Sequence, residues 1–516
     1  MAAREAMSSV DHAWLRMDQP TNLMMITGVL AFAKPLDYER VCNLLAERQL
    51  RFDRFRQRVV PPDTPLRSPK WQVDPNFDIH YHLRRVSLPA PGGQEALQAL
   101  VSDLMSRPLE PDRPLWQYHL VENYERGSAL VARLHHCIAD GIALMRVLLS
   151  LTNESAEAEW APPEKEKRPR RPGALARTVA GTWRVTETAV QEGLEMLLDP
   201  ARALQLAHTG SAAVTRLGRI LVRWPDPKTV FKGELGVEKR AAWSRPLALS
   251  DVKAVGSVTG GTVNDVLLTA MAGALRKYIR GRGEPVDGLN FHAVVPINLR
   301  PLDGPIELGN KFGLVFLALP IGIAGQVERL EEVRRRMDKL KRSPEAVALF
   351  GLLNVVGKGP AALENVLLNV FGTKATGIMT NVPGPRQQLY LAGSPLRDIM
   401  FWVPQSGRLG LGVSIMSYNG GVSLGVATDA GLVPDPQAII DRFHEEFIEM
   451  MELVTMVRQD SAATVPEPAA ARRCQATTKA GHRCRNRARP GTRTCHVHGH
   501  APGQKVPGQK VPGQKD

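Results

Sequence analysis

Apolar positions recur every three to four residues along 37–51, where Val41, Leu44, Leu45 and Leu50 share one side, and again along 95–105 through Leu97, Leu100, Val101 and Leu104. That period predicts two amphipathic helices. The pattern then becomes strand-like: 117–122 and 129–135 read as a pair joined across Glu125-Arg126-Gly127, and a helix is expected over 141–151. Further on, 262–279 predicts a long helix capped by Thr262. Residues 291–297, 312–319, 409–418 and 422–428 predict strands, the last two joined at the turn dipeptide Asn419-Gly420. An amphipathic helix over 438–457 closes the pattern.

A Pro-rich charged run, EKEKRPRRP (164–172), interrupts this alternation and reads as a linker or exposed crossover, with helical segments at 175–198 and 201–222 behind it. Strands and helices interleave on both sides of it, which predicts an α/β protein of two halves. The expected divisions are 1–160 for an N-terminal half, 161–240 for a basic helical linker, 241–458 for a C-terminal half and 459–472 for a second linker. A Cys/His module over 473–500 and a repeat tail over 501–516 complete them.

Composition narrows the class. Of 516 residues, 43% are hydrophobic and 23% charged, the balance of a globular protein. No uncharged apolar run reaches the length of a spanning helix, and MAAREAMSSVDHAW lacks the core of a secretory signal, so a cytoplasmic protein is expected. The net charge of +14 is uneven. Residues 471–516 hold seven Arg and four Lys against one acid, Asp516, so ten of the fourteen excess charges sit in this tail. A nucleic-acid-binding body therefore does not follow from the overall basicity. Cys42 and Cys137 lie in apolar surroundings and read as inert thiols, whereas Cys474, Cys484 and Cys495 crowd the tail beside His482, His496, His498 and His500.

The sharpest local signal is His135-His136-Cys137-Ile138-Ala139-Asp140-Gly141. A strand leads into it and a helix resumes after it, so a rigid element holds a histidine at the strand's end. A neutral imidazole there can take a proton from an alcohol as that oxygen attacks a carbonyl. Asp140 is expected to fix the loop, and Gly141 to permit a backbone angle that a side chain forbids. A serine nucleophile elbow is not expected, and Cys137 is not read as a nucleophile.

With its companion motifs, this segment resembles the bacterial wax ester synthase/diacylglycerol acyltransferase family of HHxxxDG enzymes. Ser9-Val10-Asp11 and Met17-Asp18-Gln19-Pro20-Thr21-Asn22 resemble the family's opening, Pro114-Leu115-Trp116 its PLW motif and Asn264-Asp265 its ND motif. Thr380-Asn381-Val382-Pro383-Gly384-Pro385 resembles its SNVPGP segment, and all fall in family order over about residues 7–457. The resemblance implies two halves like CoA-dependent acyltransferases of the chloramphenicol acetyltransferase type, with mixed sheets. It implies that His136 is the general base, that His135 supports it and that Asp140 and Gly141 shape the loop. Asn264 would help stabilise an oxyanion, with Asp265 holding the local structure. It further implies direct transfer from acyl-CoA to diacylglycerol or a long-chain alcohol without a catalytic cofactor, at a membrane or lipid-droplet surface. Residues 347–356 and 363–371 could expose apolar faces for docking there, though packing in the core is the commoner role of such segments. The competing class is a non-catalytic protein of this fold, recruited to nucleic acid or anionic lipid by its basic tail.

The tail departs from that family. Cys474, Cys484, Cys495 and His498 supply three thiolates and an imidazole for a structural zinc. Pro-Gly-Gln-Lys then recurs three times between 502 and 515, a composition that cannot pack a core. The positive charge gives the tail a means of contacting polyanions.

Overall fold

The computed structural model describes residues 5–62, 64, 68–158, 225–298, 306–341, 372–405, 409–464, 473–478, 480–486, 488–489 and 493–498. The expected linker over 161–172, the helices at 175–198 and 201–222, the apolar segments at 347–356 and 363–371, the linker over 465–471 and the repeats after 501 lie outside these residues. The chain divides into two units, Met1–Met451 and Glu452–Asp516.

Two mixed sheets organise the first unit. One has six strands: β2 (Met25–Phe32), β5 (Leu83–Ser87), β6 (Trp116–Tyr124), β7 (Gly127–His135), β13 (Tyr390–Leu391) and β14 (Ser394–Trp402), in the order β13-β14-β2-β7-β6-β5. The other has seven: β8 (Lys239–Trp243), β9 (Leu247–Ala248), β10 (Phe291–Asn298), β11 (Phe312–Leu319), β12 (Gly377–Pro383), β15 (Leu411–Tyr418) and β16 (Gly421–Asp429). Its order is β11-β10-β12-β15-β16-β8, with β9 also on β16. A small third sheet joins β1 (Glu5–Ala6), β3 (Gln57–Val60) and β4 (Lys70–Val73). β2 and β7 are buried along their whole length, as strands covered on both faces must be; β2 reads as a nearly continuous apolar run, whereas β7 also buries Ser128, Arg133 and His135.

The two halves are not closed in sequence: a strand from beyond residue 241 joins the first sheet. β14 belongs by position to the C-terminal half, yet it pairs antiparallel with β2, Trp402 opposite Thr27 and Met400 opposite Val29. Its side chains Leu396, Ile399, Met400, Phe401 and Trp402 join the core built by β2, β6 and β7. Burial drives the crossing, because the second sheet would leave these apolar residues unpaired with β2's open edge. The halves also meet where the Ser102 hydroxyl, on the helix Gln94–Met105, accepts from the Ala241 amide at 2.9 Å.

Several local expectations match. Asn419 and Gly420 both have positive φ (44° and 79°) in the turn between β15 and β16, the pair of angles that a two-residue type I′ connection demands. Thr262 caps the helix Val263–Gly281 reciprocally with Asp265. The helix expected over 37–51 changes character: Tyr38–Leu44 is α-helical, and Leu45–Gln49 is a wider turn that buries Arg48 and Gln49.

Candidate active site

β7 ends at His135, and the chain leaves it through a loop to the helix Gly141–Ser150. Two anchors on the same sheet fix the exit. The His135 amide donates to the Leu115 carbonyl at 2.9 Å, and the His136 amide donates to the Met24 carbonyl at 2.8 Å. Leu115 precedes Trp116, which is fully buried, stacks on His82 at 4.3 Å and donates from Nε1 to the Phe55 carbonyl at 2.9 Å. The Pro-Leu-Trp segment thus supports the motif from within the core.

The loop is fastened to the second half just as firmly. The Asp140 amide donates to the Gly309 carbonyl at 3.2 Å and the Gly309 amide to the Ile138 carbonyl at 3.1 Å. The Asn310 side-chain amide donates to the His136 carbonyl (2.9 Å) and to Asp11 Oδ1 (2.8 Å). Asp140 divides its carboxylate: Oδ1 accepts from the Ala143 amide at 2.9 Å, capping the helix, and Oδ2 accepts from the Lys311 amide at 3.0 Å. Residues 309–311 therefore clasp the His-bearing loop across the seam between the halves. Sequence reading named none of them, because the contacts span up to 299 residues. Asp11, in the Ser-Val-Asp segment, is buried on the helix Ser9–Arg16 beside Val10, Ala13 and Trp14, an acid on an otherwise apolar face.

The two histidines differ in what surrounds them. His136 stacks on Trp14 with ring centres 4.0 Å apart and tilts against Phe312 at 5.6 Å. It is 5% exposed, and its Nδ1 is buried without a hydrogen-bond partner. Burial pushes its pKa down to about 4; the Asp140 carboxylate opposes this and His135 adds to it. The ring is consequently neutral at physiological pH, the state a proton acceptor needs. His135 instead accepts the Cys137 amide on Nδ1 at 3.1 Å, which puts its proton on Nε2, 3.6 Å from Asp18 Oδ1. That distance is too long for a hydrogen bond but suits electrostatic orientation of the ring. Asp18 is itself fixed by accepting the Met24 amide at 2.6 Å. A cavity of about 350 Å³ reaches His135 and Asp18 between Leu15, Leu23, Met25 and Leu109.

Gly141 requires correction. Its φ is not positive, and a Cβ built there meets nothing within 4 Å. As the first residue of a helix it has ordinary helical angles, so no backbone requirement excludes a side chain. Cys137 is fully buried and its thiol is pushed well above the usual range by that burial, which leaves it inert. A Gly-x-Ser-x-Gly pentad does occur at Gly421-Val422-Ser423-Leu424-Gly425, but it runs inside β16 as extended strand. It is not the strand-to-helix turn of a nucleophile elbow.

From the second half, Asn264 stands in the first turn of Val263–Gly281, half-buried, with Oδ1 accepting from the Asn381 side-chain amide at 2.9 Å. This orients the Asn264 carboxamide and ties the Asn-Asp motif to the Asn-Val-Pro-Gly-Pro segment on β12. Asp265 is buried, and its Oδ2 accepts from the Thr262 amide (2.9 Å) and hydroxyl (2.7 Å), a structural duty.

In the second unit, Cys474, Cys484, Cys495 and His498 bring their ligand atoms within 4.8 Å of one another, so this cluster could hold a metal ion.

The chain is similar to known proteins over most of its first unit. A family described as "Wax ester synthase/diacylglycerol acyltransferase catalytic domain" matches residues 7–267, and one described as "WS/DGAT C-terminal domain" matches residues 308–451. Two putative diacylglycerol O-acyltransferases of Mycobacterium tuberculosis are similar to the chain. One is 28% identical over 87% of this chain and 91% of its own length, the other 30% identical over 76% and 85%. Among solved structures, a wax ester synthase/diacylglycerol acyltransferase from Marinobacter aquaeolei VT8 superposes with a TM-score of 0.63 at 24% identity, covering 87% of this chain and all of the other. The first condensation domain of the calcium-dependent antibiotic synthetase gives 0.54 at 17% identity, covering 87% and 97%. These likenesses support the two-halved acyltransferase fold.

Proposed function

The chain belongs to the wax ester synthase/diacylglycerol acyltransferase family, and on that premise we propose that it moves a fatty acyl group from acyl-CoA to the hydroxyl of diacylglycerol or of a long-chain alcohol, with His136 as general base. The observation that carries the assignment of the base is a desolvated, neutral imidazole whose Nδ1 has no partner, on a loop clasped by both halves. An unpaired buried nitrogen costs free energy; His82, His119 and His135 carry one as well, so the loop clasped by both halves is what sets His136 apart. Attack by the acceptor oxygen on the thioester carbonyl passes its proton to His136 and forms a tetrahedral oxyanion. Collapse of that intermediate expels CoA, which can recover the proton. His135, turned by Cys137 and Asp18, positions its neighbour; Asp140 fixes the loop; Asn264 stabilises the oxyanion through its amide N–H.

No cofactor enters this reaction. Both lipid acceptors reside in or on a bilayer, so the enzyme works docked at a membrane or lipid-droplet surface. None of the described helices is long and apolar enough to cross a membrane. The test is release of CoA thiol with diacylglycerol and with hexadecanol as acceptors. His136→Ala should lower turnover by about 10²–10⁴-fold with either acceptor; undiminished turnover in a folded variant would remove His136 as the base.

A further inference from the structure

The second unit lies outside both family matches, which end at residue 451. Among the described residues from 473 to 498, the buried cluster consists of Cys474, Cys484 and Cys495, with Ala476 packed beside them. Hydrogen bonds nevertheless bring four separate turns to one point. Cys474 N donates to the Asn486 carbonyl and Cys484 N to the Ala476 carbonyl, both at 2.9 Å, and Gln475 N donates to the Arg493 carbonyl at 2.9 Å. A short hairpin pairs Thr477 with Arg483 around Gly481, whose φ is 79°. His498 N donates to the Cys495 carbonyl at 3.0 Å, closing the Cys-x-x-His turn.

The distances at that point discriminate among three chemistries. Cys484 and Cys495 sulfurs are 3.8 Å apart, nearly twice the length of a disulfide bond, about 2.05 Å. His498 Nδ1 is 3.2 Å from Cys495 Sγ and 3.6 Å from Cys474 Sγ. A tetrahedral ion with metal–sulfur bonds of about 2.3 Å and metal–nitrogen bonds of about 2.0–2.1 Å has sulfur–sulfur edges of about 3.8 Å and sulfur–nitrogen edges of about 3.5 Å. The Cys484–Cys495 and Cys474–His498 separations match such a shell, the Cys495–His498 separation is shorter, and all four ligand atoms lie within 4.8 Å of one another. Nor is a plain cysteine core adequate, since four polar or weakly apolar side chains bury too little surface to hold four turns.

We propose that Cys474, Cys484, Cys495 and His498 Nδ1 bind one zinc ion, and that this ion is structural. Three thiolates with one imidazole in tetrahedral spacing is a donor set that suits zinc and leaves no open coordination position for water or substrate. Binding converts three thiols to thiolates, releases up to three protons and leaves the site with a net charge of −1. The surroundings accommodate that charge. Cys495 N donates to Cys474 Sγ at 3.2 Å and Asn486 Nδ2 to Cys495 Sγ at 3.8 Å, while Arg473, Arg483, Arg485 and Arg493 supply positive charge in the same unit. The metal is thereby assigned to the tail and is independent of the acyl-transfer chemistry at His136.

The experiment uses the full-length protein. After a wash with a weak chelator, elemental analysis should find one zinc per chain, and Cys484→Ser with Cys495→Ser should reduce it at least tenfold. His498→Cys should retain zinc, because a fourth thiolate can replace the imidazole. Cobalt(II) exchanged into the wild type should give the intense visible bands of tetrahedral thiolate coordination, absent from the double variant. A strong chelator should expose three additional reactive thiols. Zinc that persists in the double variant, a protein that binds none, or stoichiometric iron in its place would each overturn the assignment. Acyl transfer in detergent-solubilised substrate should be the same in both variants and the wild type, so the result does not depend on the reading of His136.

Discussion

His136 and His498 sit in the two units of one chain and are put to opposite uses by their neighbours. His498 meets sulfur within 3.6 Å on two sides and closes a shell in which each donor atom faces the others. His136 faces an indole and a phenyl ring, and its Nδ1 meets no donor or acceptor at all. The difference is informative because unpaired buried nitrogen is costly. Buried His82 and His119 carry such a nitrogen too, so what sets His136 apart is its place on a loop clasped by both halves. The same contrast separates the cysteines: Cys137 is wrapped in apolar side chains and inert, whereas the tail cysteines converge on a point.

The largest effect that could break this contrast comes from exchanging the two histidines' losses. His136→Ala should abolish acyl transfer by about 10²–10⁴-fold with zinc content unchanged, and His498→Ala should lower zinc content with acyl transfer unchanged. Thiol release and elemental analysis on the same preparations check both. A loss of activity in His498→Ala as large as that in His136→Ala would mean that the units are not separable.

Next comes the second half's contribution to the same site. Asn264→Ala should lower kcat by about 10²–10³-fold with little change in the melting temperature, because Asn264 caps nothing. Asp265→Ala should do the reverse, losing about 1 kcal/mol through the broken capping box. Steady-state kinetics beside thermal unfolding separates them; equal losses of stability would assign Asn264 a structural role instead.

Asn310→Ala tests the clasp itself. It removes the donor shared by the His136 carbonyl and the buried Asp11 carboxylate, whose pKa burial already pushes upward. Stranding those acceptors should cost about 1–3 kcal/mol in denaturant unfolding and lower kcat along with it. Asn310→Asp, which keeps the size but cannot donate when ionised, should be no better.

A smaller effect appears with pH. Burial pushes His82 and His119 each down to about 4 from an ordinary value near 6.5. Both are neutral when folded and take up protons on unfolding, so their contribution is intact above about 6.5. It is lost progressively as pH falls from there toward 4. Unfolding midpoints should therefore decline over that window, and His119→Gln should flatten the decline. An unchanged slope would mean that other groups cause it.

The sequence-to-structure comparison divides along the range of the contacts. The Thr262–Asp265 cap and the Asn419-Gly420 turn are legible because their partners lie within a few residues, and the histidine motif because its residues are contiguous in sequence. The convergence of Cys474, Cys484, Cys495 and His498 is legible because so few cysteines and histidines occur in a short basic tail. β2 escapes notice because a strand buried on both faces has no alternation to detect. β14 escapes because nothing local says that residues 394–402 pair with residues 27–32. The clasp at 309–311 is hidden for the same reason: its function is to meet residues 136–140, far away along the chain.

Gly141 is the smallest test and the one on which sequence and structure part most plainly. A glycine ending a motif invites the inference that its backbone needs freedom, but this one has helical angles and open space where a Cβ would stand. Gly141→Ala should therefore stabilise the protein by about 0.4–1 kcal/mol, through the reduced freedom of the unfolded chain and the better helix former at the start of Gly141–Ser150. Denaturant midpoints check this. If stability rises while kcat/KM falls, the open space beside the loop belongs to substrate, and the glycine is kept for room rather than for angle. If stability falls, the structure's account of this residue is wrong and the backbone explanation returns.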